Sequence, residues 1–217
     1  MPQAARRVDR LLVRAHLAPM LKPLCVAGLL AVAMAHRLAA QTDYYLRAGA
    51  TGSSTLVGDF IAQDVRTKAA VAPTLVAGFG HGIATRYRVG LELAASSGGL
   101  HSDYGDVHGD LGSLRTASML GFLDGAVGGG VRWQAGLGFI HYFAGNEAGL
   151  LASATTRLLV GGGLDFRRPL LAAFDLTIAA RYDFHRFTTP VLQSHGYSGA
   201  QGVQRVSLSI GLARGYR

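Results

Sequence analysis

The stretch Arg86-Tyr87-Arg88-Val89-Gly90-Leu91-Glu92-Leu93 places an apolar side chain at every second position and a charge or glycine between them. A period of two belongs to a β-strand, whose successive side chains point to opposite faces. One face of this strand is Tyr87, Val89, Leu91 and Leu93, and the other is Arg86, Arg88, Gly90 and Glu92. The first face suits an apolar medium and the second a polar one.

The same alternation returns along the chain. Apolar sets occur at Tyr44, Leu46, Ala48 and Ala50; at Val71, Leu75, Ala77 and Phe79; and, more weakly, at Thr116, Ser118, Leu120 and Phe122. The second half adds Val131 to Phe139, Leu158 to Phe166, Phe174 to Phe184 and Val206 to Leu212, each read at alternate positions. With the opening stretch this makes eight strands. The opposite faces collect Arg47, Arg88, Glu92, Arg115, Arg132, Arg157, Asp165, Asp175, Arg181, Asp183, His185 and Arg205, together with many glycines. In a soluble barrel the apolar residues would point inward. Glycine, however, belongs where side chains crowd, on the concave side. Charge and glycine inside with Leu, Val and aromatics outside is the arrangement of a barrel set in lipid.

The connections agree. Gaps between strands alternate long and short, at about residues 52–69, 80–85, 97–112, 124–130, 144–154, 167–171 and 187–202. Membrane barrels have short turns at one end and long loops at the other. Closure is obligatory in lipid, because an open sheet edge would leave backbone groups unpaired. The fold class expected is therefore all-β, an eight-stranded antiparallel transmembrane up-and-down barrel preceded by a cleavable signal peptide.

Residues 1–40 read as that signal peptide: Arg6, Arg7, Arg10, Arg14 and Lys22 precede an uncharged apolar run from Pro23 to Ala35. The run is too short for a spanning helix, which needs about 20 apolar residues. Cleavage is expected after Ala40, and Met20 is an alternative start. Residues 41–217 form the barrel domain. Without the first forty residues the formal charge falls from +8 to +3, which removes the case for nucleic-acid binding. Cys25 leaves with them, and no thiol chemistry remains.

Residues 41–217 resemble the small eight-stranded outer-membrane β-barrel proteins, the group of the outer-membrane protein W family and the opacity-like and OmpA-like barrels. That resemblance implies the bacterial outer membrane, contact with its lipid, and delivery to the barrel-assembly machinery through the C-terminal strand. Ser209, Gly211 and Tyr216 match that strand's signal in part, whereas Arg214 and Arg217 depart from it. Eight strands enclose little beyond their own side chains. The inward charges are therefore expected to fill the lumen as a hydrogen-bonded network, leaving a structural or surface-interaction role to the long loops.

An alternative is a passive carrier or narrow channel for small hydrophobic or weakly anionic solutes. Leu56, Phe60, Ile61, Val191 and Leu192 lie in the first and fourth long loops, where they line a greasy gate or pack the loops together. His101, Asp103, Asp106, His108 and Asp110 alternate in another loop, but their spacing fits no EF-hand, and no metal is assigned to them. A lipid A-modifying enzyme is disfavoured. His185 resembles the catalytic histidine of the barrel deacylases, yet Phe187 stands where their serine would be. A base without a nucleophile performs no acyl transfer, so no catalytic residue and no cofactor are expected.

The face assignment is testable by substitution. Leu91→Arg or Leu137→Arg should cost about 2–4 kcal/mol in unfolding experiments from lipid vesicles. Bulky residues at Gly90 or Gly136 should instead impair folding by crowding the lumen. Equal tolerance of arginine at 91 and 92 would show that the faces are wrongly assigned.

Overall fold

The computed structural model describes residues 42–59, 65–104, 107–145, 154–171, 173–189, 192–193 and 200–214. The chain divides into two units, residues 1–41 and 42–217, and the description concerns the second. The signal-peptide reading, the cleavage site and the last three residues lie outside the described residues.

Among the described residues ten strands follow in order: β1 Thr42–Ser53, β2 Thr55–Asp59, β3 Val65–Ala69, β4 Ala72–Gly82, β5 Tyr87–Tyr104, β6 Val107–Gly128, β7 Val131–Tyr142, β8 Thr155–Leu171, β9 Phe174–Phe187 and β10 Gln201–Arg214. Eight of them form a ring in which every neighbour is antiparallel, running β1, β4, β5, β6, β7, β8, β9, β10. The pairing of β1 with β10, from Tyr44 with Arg214 to Ser53 with Arg205, closes the ring. Closure removes the sheet edge, so each ring strand has a partner on both sides.

Outside positions are apolar and open. Leu46 is 56% exposed, Leu137 62% and Leu208 62%, while Arg47 is 3% and Glu92 2% exposed. Fully burying one leucine is worth about 1.5–3 kcal/mol in water. A belt of some two dozen open large apolar groups is therefore incompatible with a water-soluble surface and natural in hydrocarbon. This removes the soluble barrel, whose apolar residues would point inward.

The ring has two unlike ends. Thr42, Arg214 and the short connections β4–β5, β6–β7 and β8–β9 lie at one, called here the turn end. The β6–β7 turn passes through Gly128, Gly129 and Gly130 with φ of 136°, 60° and 85°, values that only glycine adopts readily. At the opposite, loop end, β5 and β6 continue as an extended hairpin. They have 18 and 22 residues, whereas about 9–11 suffice to cross a bilayer. The extension pairs on its free side with β3, which pairs with β2.

Three expectations need correction. The segments 52–69 and 97–112, read as loops, contain β2, β3 and the ends of β5 and β6. Their alternation is invisible because, beyond the lipid, both faces meet water or other loops and no apolar face is selected. The segments 124–128 and 167–171, read within turns, belong to β6 and β8. Finally, β6 is turned over. Thr116, Leu120 and Phe122 are buried, and Met119 and Leu123 are exposed outward with Gly121. Register decides the matter, since Glu92, which faces the lumen, lies opposite Leu120, and Leu93 lies opposite Met119.

Nitroxide labels placed along β6 will report this inversion. Labels at 119, 121 and 123 should be accessible to lipid-dissolved oxygen, and those at 118, 120 and 122 protected. The opposite phase would restore the sequence-based reading.

Candidate functional site

The lumen is the place where ionisable side chains converge, and alternate positions of the ring strands deliver them there. Small residues make the room. The Tyr45 ring occupies the space a side chain at Gly78 would need, and the Phe122 ring does the same at Gly90.

The charges form one continuous alternating series. Beginning at the turn end, Arg132 binds Asp124, which also accepts Arg88 at 2.7 Å. Arg88 and Arg167 share the Asp43 carboxylate. Arg167 then donates its Nε to Asp165 at 2.9 Å, and Asp165 lies 3.8 Å from Arg47. Arg47 reaches Glu92 at 2.5 Å; Glu92 is also held by Arg181, which donates its Nε to Asp183 at 2.8 Å. Five arginines and five carboxylates thus alternate, and their formal charges cancel. Neutral donors fill remaining acceptor sites: the Tyr45 hydroxyl donates to Glu92 at 2.7 Å, and the Thr177 hydroxyl to Asp165 at 2.5 Å.

Above this series lies a hydroxyl layer. Arg205, 8% exposed, donates to Ser96 at 3.1 Å and to Thr116 at 3.4 Å, and Thr51 and Thr74 share a hydrogen bond of 2.7 Å. Small cavities of about 20 and 10 Å³ flank Arg205. The larger has room for an ordered water and not for a solute. The Tyr142 hydroxyl and His185 Nε2 meet at 2.6 Å. Higher still, Leu56, Val57, Leu100, Leu114, Ile140, Leu159, Phe187, Leu192 and Val203 belong to the buried apolar cluster. Tyr142 packs edge-on against Phe187 with ring centres 5.0 Å apart.

Most of the sequence-identified lumen residues take part. Arg47, Arg88, Glu92, Arg132, Asp165, Arg181 and Asp183 belong to the alternating series, and His185 and Arg205 to the layer above. Arg157 turns inward and donates to the Thr188 carbonyl. Asp175 is half-buried near the turn end of β9 and has an interaction partner of its own. Arg115 departs from the expectation: it is exposed on the outer wall, because β6 is turned over.

The sequence reading missed Asp43, Asp124, Arg167, Tyr45 and Tyr142. Asp124 was hidden by the turn drawn across the end of β6, at 124–130, and Arg167 by the turn drawn across the end of β8. Of the gate residues, Leu56 and Leu192 are buried at 2% and 3% exposure within the apolar cluster, whereas Phe60, Ile61 and Val191 lie outside the described residues.

The His/Asp segment is a set of cross-strand rungs. His101 lies opposite Asp110 and Asp103 opposite His108, the latter pair hydrogen-bonded at 2.8 Å. That bond, chiefly, holds the Asp103 carboxyl below its usual range. Its support for the hairpin is complete above the ordinary carboxylate pKa of about 3.9 and is lost as pH falls through the lower folded value. Among the described residues no group of three or more metal-ligating side chains converges, and Asp106 is outside them.

Solved structures share this architecture. The neisserial surface protein A superposes with a TM-score of 0.52 at 12% identity, over 80% of this chain and 96% of that one. The outer-membrane protein AlkL, solved in lipid bilayers, gives 0.50 at 12% identity over 80% and 90%. The chain has the outer-membrane β-barrel fold. OprG of Pseudomonas aeruginosa, at a TM-score of 0.49 and 16% identity, covers 80% of the chain and 95% of its own length. No family model and no curated protein matches the sequence.

Glu92→Gln tests the continuity of the charge series. It leaves Arg47 and Arg181 facing a neutral amide in a closed lumen, where loss of one partner of a buried pair costs about 3–5 kcal/mol. Urea unfolding from lipid vesicles should show a loss of that order. A change below about 1 kcal/mol, as for an exposed pair, would contradict the network's role.

Proposed function

We propose that the protein is a closed outer-membrane barrel whose work is done by the strands and loops displayed at its loop end. The observation that carries this reading is the double obstruction of the lumen, by the neutral arginine–carboxylate series and by the apolar cluster above it. Moving a solute through would require separating several ion pairs in a confined space, each costing several kcal/mol. The barrel is then a rigid post. The β5–β6 extension with β2 and β3 alongside is the part that reaches beyond the membrane surface, with Thr42 and Arg214 at the opposite, periplasmic end.

Burial of Leu56 and Leu192 supports packing of the first and fourth loops onto the mouth rather than an open greasy gate. The carrier reading has one observation in its favour, the two arginines above the series that form no close ion pair among the described residues, Arg157 and Arg205, although Arg205 stands opposite Asp183 in the β9–β10 register. They make the outer half of the lumen net positive and would favour a small anion there. No enzymatic role is proposed. His185 is buried against Tyr142, and Phe187 follows it where an acyl-transfer nucleophile would stand.

Planar-bilayer recordings and liposome uptake separate the two readings. The full-length barrel should give no conductance above that of protein-free lipid and no uptake of small hydrophobic or anionic solutes. Uptake that disappears when the first and fourth loops are shortened would establish the carrier instead. A stable conductance abolished by filling the lumen near Ser96 would establish a channel.

A further inference from the structure

The outer wall carries a charge pattern that the lumen does not explain. Between its two rims, excluding the hairpin extension, the described outward positions of the ring strands hold arginines and no carboxylate. Arg168 and Arg214 are exposed at the turn end, and Arg115 and Arg186 at the loop end. An outward guanidinium among lipids is tolerated only where it reaches the headgroup level. Arg115 and Arg186 stand at that level by their place on β6 and β9.

The two differ in their surroundings. Arg115 borders an open groove of about 980 Å³ on the outer wall, whose lining includes Ala48, Pro73, Leu75, Ala95 and Phe143. The groove exists because small residues of β1, β4 and β5 form its floor, while Phe143, just past β7, forms a raised edge. Phe143 is fixed from two directions. Its backbone N–H donates to the Arg115 carbonyl at 3.1 Å, and its ring meets that of His141 edge-on with centres 4.8 Å apart. His141 in turn shares a 2.8 Å hydrogen bond with Thr156. Among the described residues Arg115 forms no ion pair, and no described carboxylate competes for its donors.

We propose that this groove binds one phosphorylated lipid of the surrounding outer leaflet, with the phosphate on Arg115 and an acyl chain along Ala48, Pro73, Leu75 and Ala95. Charge complementarity selects the headgroup, because a guanidinium forks onto phosphate with two parallel hydrogen bonds. The apolar floor selects a lipid over a free anion. The position selects the leaflet. Nothing in this site depends on what the loops recognise, since the groove faces sideways into lipid.

Native mass spectrometry of the delipidated, full-length barrel in a non-ionic detergent tests the proposal. The probes are a diphosphorylated lipid A, the same lipid after removal of its phosphates, and inorganic phosphate as competitor. A single phosphorylated lipid should be retained, with roughly tenfold weaker binding for the dephosphorylated form and for Arg115→Gln, the scale of a charge-assisted hydrogen bond. Ala95→Trp, which fills the groove, should weaken binding too, whereas Arg186→Gln should leave it within about twofold. Heat-modifiable migration verifies that each variant is folded, as expected for exposed positions. Equal binding of the dephosphorylated lipid, or an unaffected Arg115→Gln, overturns the proposal. So does an Arg186→Gln effect as large as that of Arg115→Gln, which would mean only diffuse attraction, or displacement of the lipid by equimolar inorganic phosphate.

Discussion

Every charge in the arginine–carboxylate series depends on a neighbour of opposite sign. A ring of eight strands enclosed by lipid has an interior only as wide as its side chains, so an ion there can find little water to solvate it. The isolated charge would cost many kcal/mol. Alternation answers this constraint economically. Asp124, Asp43, Asp165 and Glu92 each touch two arginines, and Arg88, Arg167, Arg47 and Arg181 each touch two carboxylates. The strands supply these residues from both halves of the sequence. Forming the series therefore requires that the ring close in the correct register.

Closure and plugging are consequently one event. The β1–β10 pairing brings Arg47 into the ring beside Gly211 and close to Asp165 of β8, which β1 reaches through β10 and β9, whereas Glu92 of β5 is reached through β4. The backbone demands closure because lipid offers no hydrogen bonds, and the side chains reinforce one register over a slipped one. A slip of one residue would turn every charge outward into lipid. This double demand explains why glycine recurs on the inner face, where Tyr45 and Phe122 lie over Gly78 and Gly90.

How much of this was legible follows from where selection by lipid operates. Seven of the eight ring strands showed their true faces, because within the bilayer one side must be apolar. The fourth, β6, misled because both of its phases contain apolar groups. Its inward Leu120 and Phe122 pack the lumen, while outward Met119 and Leu123 alternate with Ala117 and Gly121. Its single outward charge, Arg115, made the wrong phase look like the polar one. Asp124 was lost for another reason, because it fell in the segment read as the following turn. Beyond the bilayer nothing forces an alternation, so β2, β3 and the tips of β5 and β6 read as loops. The pairing of charges was beyond the reach of pattern altogether, since Asp43 and Arg167 stand 124 residues apart.

The cations of the series are all arginines, and the geometry accounts for that. The whole sequence contains only two lysines, Lys22 and Lys68, neither of which belongs to the series. A lysine ammonium is a compact, strongly hydrated point, and a carboxylate on each side of it would have to crowd a single atom. A guanidinium spreads five N–H donors over a planar fork. Arg167 uses Nε for Asp165 and a terminal nitrogen for Asp43; Arg181 likewise uses Nε for Asp183 and a terminal nitrogen for Glu92. A group with separated donors links carboxylates from different strands without crowding them on one atom, so arginine suits the linking positions of the series and binds the ring's strands to one another across the lumen.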